Sequence, residues 1–149
     1  ARLTHFAPHL VRLPEESPLL EMLARNAWGK SWGIYLTCDL DFASVRRHFR
    51  RFLMVNQPGG KQVYFRFYDP RVLRVYLATC LPEEMNPFFG PVKYYLMEDE
   101  KPDTLLRFSN AGRGVGLRKF PLVSEPKTQS GTQVGRPSTG RDSPSNVAR

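Results

Sequence analysis

Residues 63–80 read VYFRFYDPRVLRVYLATC, and a change of pattern inside this stretch decides the fold class. From Val63 to Tyr68 the side chains alternate as in a strand. Val63, Phe65 and Phe67 point one way, and Tyr64, Arg66 and Tyr68 the other. From Asp69 the spacing becomes helical: Asp69 is placed to cap a helix, Pro70 suits its first position, and the run reaches about Thr79. A chain that passes directly from strand to helix belongs to a mixed class. Asp69 and Pro70 are accounted for as a helix start. Arg66 shares its face with two tyrosines, where its stem can pack and its planar head can stack or pair. For Arg66 and Arg71 two roles stay open, fastening this corner or facing a partner.

On the N-terminal side, PHLVRL reads as a short edge strand because Pro8 and Pro14 flank it. SPLLEMLARNAW reads as a helix, with Ser17 as cap, Pro18 at the first position, and Leu19, Leu20, Leu23 and Ala27 on one face. After Gly29 and Gly33, Trp32 to Cys38 is rich enough in aromatic and β-branched residues for a buried strand. Asp41 opens the clearest helix, in which Phe42, Val45, Phe49, Phe52 and Leu53 recur at core spacing. Arg46, Arg47, His48, Arg50 and Arg51 fill the rest of its circumference.

NQPGGKQ is a turn, PEEMNPFFG a short helical turn, and VKYYLME and DTLLRFS two strands, with GVGLRKFPLV a candidate third. The expected fold is therefore α/β (mixed α+β), a small mixed sheet with packed helices. From Ser124 the chain has no aromatic residue and is mostly Ser, Thr, Pro, Gly and charges. Such a segment cannot bury enough apolar surface to offset its ordering entropy. The expected division is a folded domain over 1–123 and a flexible tail over 124–149.

The formal net charge of +8 in 149 residues favours anionic partners, whether nucleic acid or an acidic protein surface. Cys38 and Cys80 are far apart and form neither a zinc pattern nor a disulfide framework, so a reducing cytoplasm is the expected setting. No apolar run approaches the ~20 residues of a membrane span, and no signal peptide is recognisable. No cofactor pattern is present.

Catalytic motifs are absent from the sequence. His5 and His9 are four residues apart, but Pro8 lies between them and no third ligand follows, so no metal site is expected. GRGVG, residues 112–116, lacks the Lys-Ser/Thr of a phosphate loop and reads as a turn between strands. Glu83, Glu84, Glu98, Asp99 and Glu100 read as solvated charges rather than acid–base pairs. The chain is not expected to be an enzyme.

The basic helix carries a stronger signal. Arg46 with Arg50, and Arg47 with Arg51, are like charges one turn apart, which disfavours an isolated helix by a few tenths of a kcal/mol per pair. Either an anionic partner meets this face, or carboxylates elsewhere in the fold answer it. A basic nucleic-acid-binding domain is the alternative reading. It needs stacking aromatics beside the charge, and Phe42, Phe49 and Phe52 fall on the side expected to face the core.

Taken in order, APHLVRL, WGKSWGIYLT, LDFASVRRHFRRFLMV and GGKQVYFRFYDPRVLRVYLATCLPEEMNPFFGPV resemble the adaptor (effector chaperone) family of bacterial type VI secretion, over about Ala7 to Val92. The most specific elements are FRFYDPRVL at 65–73, the paired Trp28 and Trp32, and RRHFRRFL. The resemblance implies a non-enzymatic protein that binds a secreted effector and helps load it onto the VgrG spike protein. It places Tyr68, Asp69 and Pro70 in a structural motif with the two tryptophans. The partner-binding candidates are Arg46, Arg47, Arg50, Arg66 and Arg71. Members of that family usually begin with some tens of residues, including a first strand, before the APHLVRL segment, and there are members that continue into a second helical lobe. On that comparison the domain over 1–123 is expected to be N-terminally incomplete, with an open sheet edge.

Overall fold

A computed structural model describes residues 8–57 and 59–122. His5, Pro58 and the segment 124–149 read as a tail lie outside the described residues. In chain order the elements are α1 (Pro18–Asn26), β1 (Tyr35–Cys38), α2 (Phe42–Arg50), β2 (Met54–Asn56) and β3 (Gln62–Tyr64). There follow α3 (Pro70–Thr79), α4 (Pro82–Phe89), β4 (Val92–Glu98), β5 (Thr104–Asn110) and β6 (Val115–Pro121). The fold is the expected mixture of helices and sheet. Among the described residues every strand pairing is antiparallel: β1-β4-β5-β6 form one sheet and β2-β3 a separate hairpin.

Alternation along β4 and β5 explains where the core lies. Tyr95 and Met97 pair across to Phe108 and Leu106, and all four are buried on one face. Against that face pack Val45 and Phe49 of α2, Leu73 and Leu77 of α3, and Met85, Phe88 and Phe89 of α4. Phe88 is fully buried and its ring meets those of Phe52, Phe65, Phe67, Tyr76 and Tyr95.

Helix ends follow their local chemistry. Asp41 accepts from the Ser44 backbone N–H at 3.0 Å, and Asp69 from that of Arg71 at 3.0 Å. Ser17 precedes α1, but its hydroxyl makes no capping bond. PEEMNPFF is a full helix rather than a turn, and Glu84 accepts from the Leu81 N–H at 3.1 Å.

Several expectations are corrected. PHLVRL is not a strand; residues 8–14 run without regular pairing, as its flanking prolines weaken any ladder. Regular pairing begins only at Tyr35 rather than Trp32, and α2 stops at Arg50, freeing Met54–Asn56 to pair with β3. The strand read over 63–68 ends at Tyr64, because the Asp69 N–H turns back to the Arg66 carbonyl at 3.0 Å. Phe42 is 41% exposed and so does not face the core. GRGVG, read as a turn between strands, is one only in part: residues 112–114 connect β5 to β6, whereas Val115 and Gly116 already belong to β6 and pair with Asn110 and Ser109.

Candidate functional site

The corner between β3 and α3 is organised around one carboxylate. Asp69 is only 3% exposed. Its Oδ1 accepts from the Arg71 backbone N–H at 3.0 Å and from Arg71 Nε at 2.9 Å. Its Oδ2 accepts from Arg71 Nη2 at 2.7 Å and from Arg66 Nη2 at 2.9 Å. The side-chain hydrogen bond from Arg71, reinforced by its backbone N–H and by the charges of both arginines, holds the Asp69 carboxyl below the usual range. The same bond pushes the Arg71 guanidinium up. Arg66 and Arg71 thus meet at a single buried acid while more than half of each side chain faces solvent. Tyr68 is half-buried, its ring edge-on to that of Tyr64, and Pro70 is buried. Replacing Asp69 by Ala removes the cap and the acceptor shared by Arg66 and Arg71. A stability loss of about 2 kcal/mol is expected, read as a lower urea midpoint at unchanged slope.

A separate basic surface lies on α2. Arg46, Arg47, Arg50 and Arg51 line a shallow depression with Ala43, and neither Arg66 nor Arg71 reaches it. Among the described residues no carboxylate lies within ion-pair distance of Arg46, Arg47 or Arg50. Arg51 differs, because its Nη2 meets His48 Nδ1 at 2.9 Å and its Nε donates to the His48 carbonyl.

His48, read from the sequence as part of the charged circumference, is instead buried. Its Nε2 lies 2.9 Å from the Phe88 carbonyl, an acceptor only, so Nε2 carries the proton and Nδ1 accepts from Arg51. The ring fits because residue 90 is glycine, with φ +46°; a Cβ there would stand 2.5 Å from His48 Cε1. Burial lowers the His48 pKa below its ordinary value. The neutral ring is favoured in the folded state, so its stability contribution is present above the unfolded-state pKa near ~6.5 and is lost as pH falls below it. Unfolding free energy is expected to drop in that window by at most about 1.4 kcal/mol per pH unit. Denaturant titrations of His48→Gln should show the slope flattened.

Glu98 is the second residue misread as solvated charge. It is 6% exposed. Its carboxylate accepts from the Gly29 N–H, from the Ser31 N–H at 2.7 Å and from the Ser31 hydroxyl at 3.2 Å. The WGKSW loop wraps this anion by taking positive φ at Gly29 and Ser31, a concave arrangement of backbone N–H groups. Trp28 fixes the loop from the other side, its indole N–H donating to the Pro102 carbonyl at 2.6 Å. Trp32 is 64% exposed, with Lys30 over its ring. The paired tryptophans are therefore unlike: one is a strut and one is surface.

Cys38 and Cys80 are free and half-buried. Burial pushes the Cys80 thiol up, away from thiolate chemistry. Among the described residues no group of His, Cys, Asp and Glu is placed to hold a metal ion. No described helix is long and apolar enough to cross a membrane.

The family model described as a domain of unknown function (DUF4123) matches residues 1–86. That stretch contains the WGKSW loop, α2 and the Asp69 corner. No curated protein and no solved structure matches the chain.

Proposed function

The chain belongs to the family described as a domain of unknown function (DUF4123), and from that membership we propose a cytoplasmic, non-enzymatic adaptor. In this reading it binds a type VI secretion effector and helps load it onto the VgrG spike protein. The family match over residues 1–86 carries the proposal. The arginines of α2 support it, since their charges are unanswered by carboxylates among the described residues. An acidic surface on a partner would answer them, raising the association rate and fixing orientation.

Co-purification tests this directly. In this reading a type VI effector and a VgrG protein of the same organism should be captured by the wild-type chain. Arg46→Glu/Arg47→Glu/Arg50→Glu is expected to reduce effector capture by about tenfold or more. Arg66 and Arg71 belong in a separate variant, because changing them also loosens the Asp69 corner. Undiminished capture by the α2 variant would remove that helix as the contact while leaving the adaptor role. Capture of neither partner by the wild-type chain would sink the role itself. Binding to generic DNA that falls steeply with salt would indicate nucleic acid instead.

A further inference from the structure

The sheet has a second face that the helices of the core do not use. The ring contacts from α2 and α4 to the sheet all reach Tyr95. Its neighbour Tyr94 points the other way, as do Leu96, Leu105, Arg107, Arg118 and Phe120 by strand register. Arg107 and Arg118 are directly opposite each other on β5 and β6. Like charges in that position are destabilising. Neither has an ion-pair partner among the described residues, and Glu98, on the same face, is consumed by the WGKSW loop.

Arg107 is also held in position. Its guanidinium lies 4.6 Å from the Tyr94 ring centroid and 5.2 Å from that of Phe120. Stacking between two rings fixes the guanidinium and leaves its N–H groups without an acceptor from this chain among the described residues. Phe120 is 38% exposed and Arg118 is exposed, so the surface combines two cations with apolar side chains.

The geometry points to this outer face of β4–β6 as a docking surface for an acidic, apolar-rich segment of another protein. Arg107 and Arg118 receive its carboxylates; Tyr94, Leu105 and Phe120 receive its apolar side chains. Charge selects that occupant over the alternatives. Residues 124–149 of this chain carry four basic side chains (Lys127, Arg136, Arg141, Arg149) against two acidic ones (Glu125, Asp142). A second copy brings a net charge of +8. The inference rests on the adaptor reading only in taking the occupant to be a protein segment. The sheet separates this surface from α2, so two acidic partners, or two parts of one, have separate places to bind.

The test uses the full chain and a fluorescein-labelled peptide of alternating Glu and Leu. Matched peptides carry Lys for Glu or Ser for Leu. Polarisation should show binding of the Glu/Leu peptide, at least tenfold weaker for Arg107→Ala/Arg118→Ala and unchanged for the α2 triple variant. Backbone amide shifts in the labelled protein should fall on β4–β6, and the spectrum of the double variant reports that it is folded. No binding to the wild-type chain overturns the inference, as does equal loss in both variants or equal binding of the Ser or Lys peptide. Equal binding of a synthetic 124–149 peptide, or self-association abolished in the double variant, assigns the face to this chain itself and also overturns it. Peptide binding lost while effector capture persists fails this surface alone. The reverse pattern fails the adaptor reading.

Discussion

Phe88→Ala is expected to remove the cooperative folded state at ordinary temperature. Phe88 is fully buried, and five aromatic rings meet its own at centroid distances of 5.1–6.1 Å. Truncating a buried Phe costs about 3–5 kcal/mol, through lost transfer energy and the cavity left behind. Small domains hold only about 5–15 kcal/mol in total. Here the cavity would open where α2, α3, α4 and β4 meet, so collapse of one neighbour cannot refill it. The Phe88 carbonyl adds to the effect, as it accepts both from His48 and from the Tyr95 hydroxyl at 2.9 and 3.0 Å. A shift of the helix end would disturb both bonds. Near-UV circular dichroism and urea unfolding check this. A variant that keeps a sharp transition within about 1 kcal/mol of wild type would contradict the packing described.

Glu98→Ala is expected to destabilise by about 3 kcal/mol and to release the WGKSW loop. Hydrogen bonds to a charged group are each worth about 1.5–3 kcal/mol, and donors left buried without an acceptor carry their own penalty. Two backbone N–H groups and one hydroxyl lose their acceptor together. Gly29 and Ser31 hold positive φ in the wrapped loop, a conformation that Ser31 in particular adopts only when its surroundings demand it. Without the anion the loop has reason to relax. Trp28 reports this, since its indole bond to Pro102 holds it against the β4–β5 turn. In a Trp32→Phe background, emission should move to the red in Glu98→Ala and recover partly in Glu98→Gln, which keeps one oxygen. Unchanged emission with an unchanged urea midpoint would show that Glu98 does not hold the loop.

What could be read from the sequence was local. Asp69-Pro70 announces α3 because cap and first-turn proline act within three residues, and the alternation of VKYYLME and DTLLRFS marks β4 and β5 for the same reason. His48 could not be read, since its burial depends on Gly90 and the Phe88 carbonyl, some forty positions away. Nor could Glu98. It opens the run Glu98-Asp99-Glu100, and the groups that neutralise its burial lie 67 and 69 residues earlier. The three arginines of α2 were legible as exposed charge from helical spacing alone. The pairing of Arg107 with Arg118 was not, because it requires the register of two strands.

The core is assembled from residues on both sides of position 86, where the family match stops. Val45, Phe49, Phe67, Leu73 and Leu77 precede it; Phe88, Tyr95, Met97, Leu106 and Phe108 follow. During synthesis the earlier group emerges first and has no sheet to pack on. At the usual elongation rate, residues 87–122 take roughly 2–7 s to follow. For that interval the nascent chain presents a strongly apolar α2–α3 surface, the condition under which chaperone contact and misassociation occur. Folding therefore waits on the last strands, and pausing translation within β4 should lengthen the exposure.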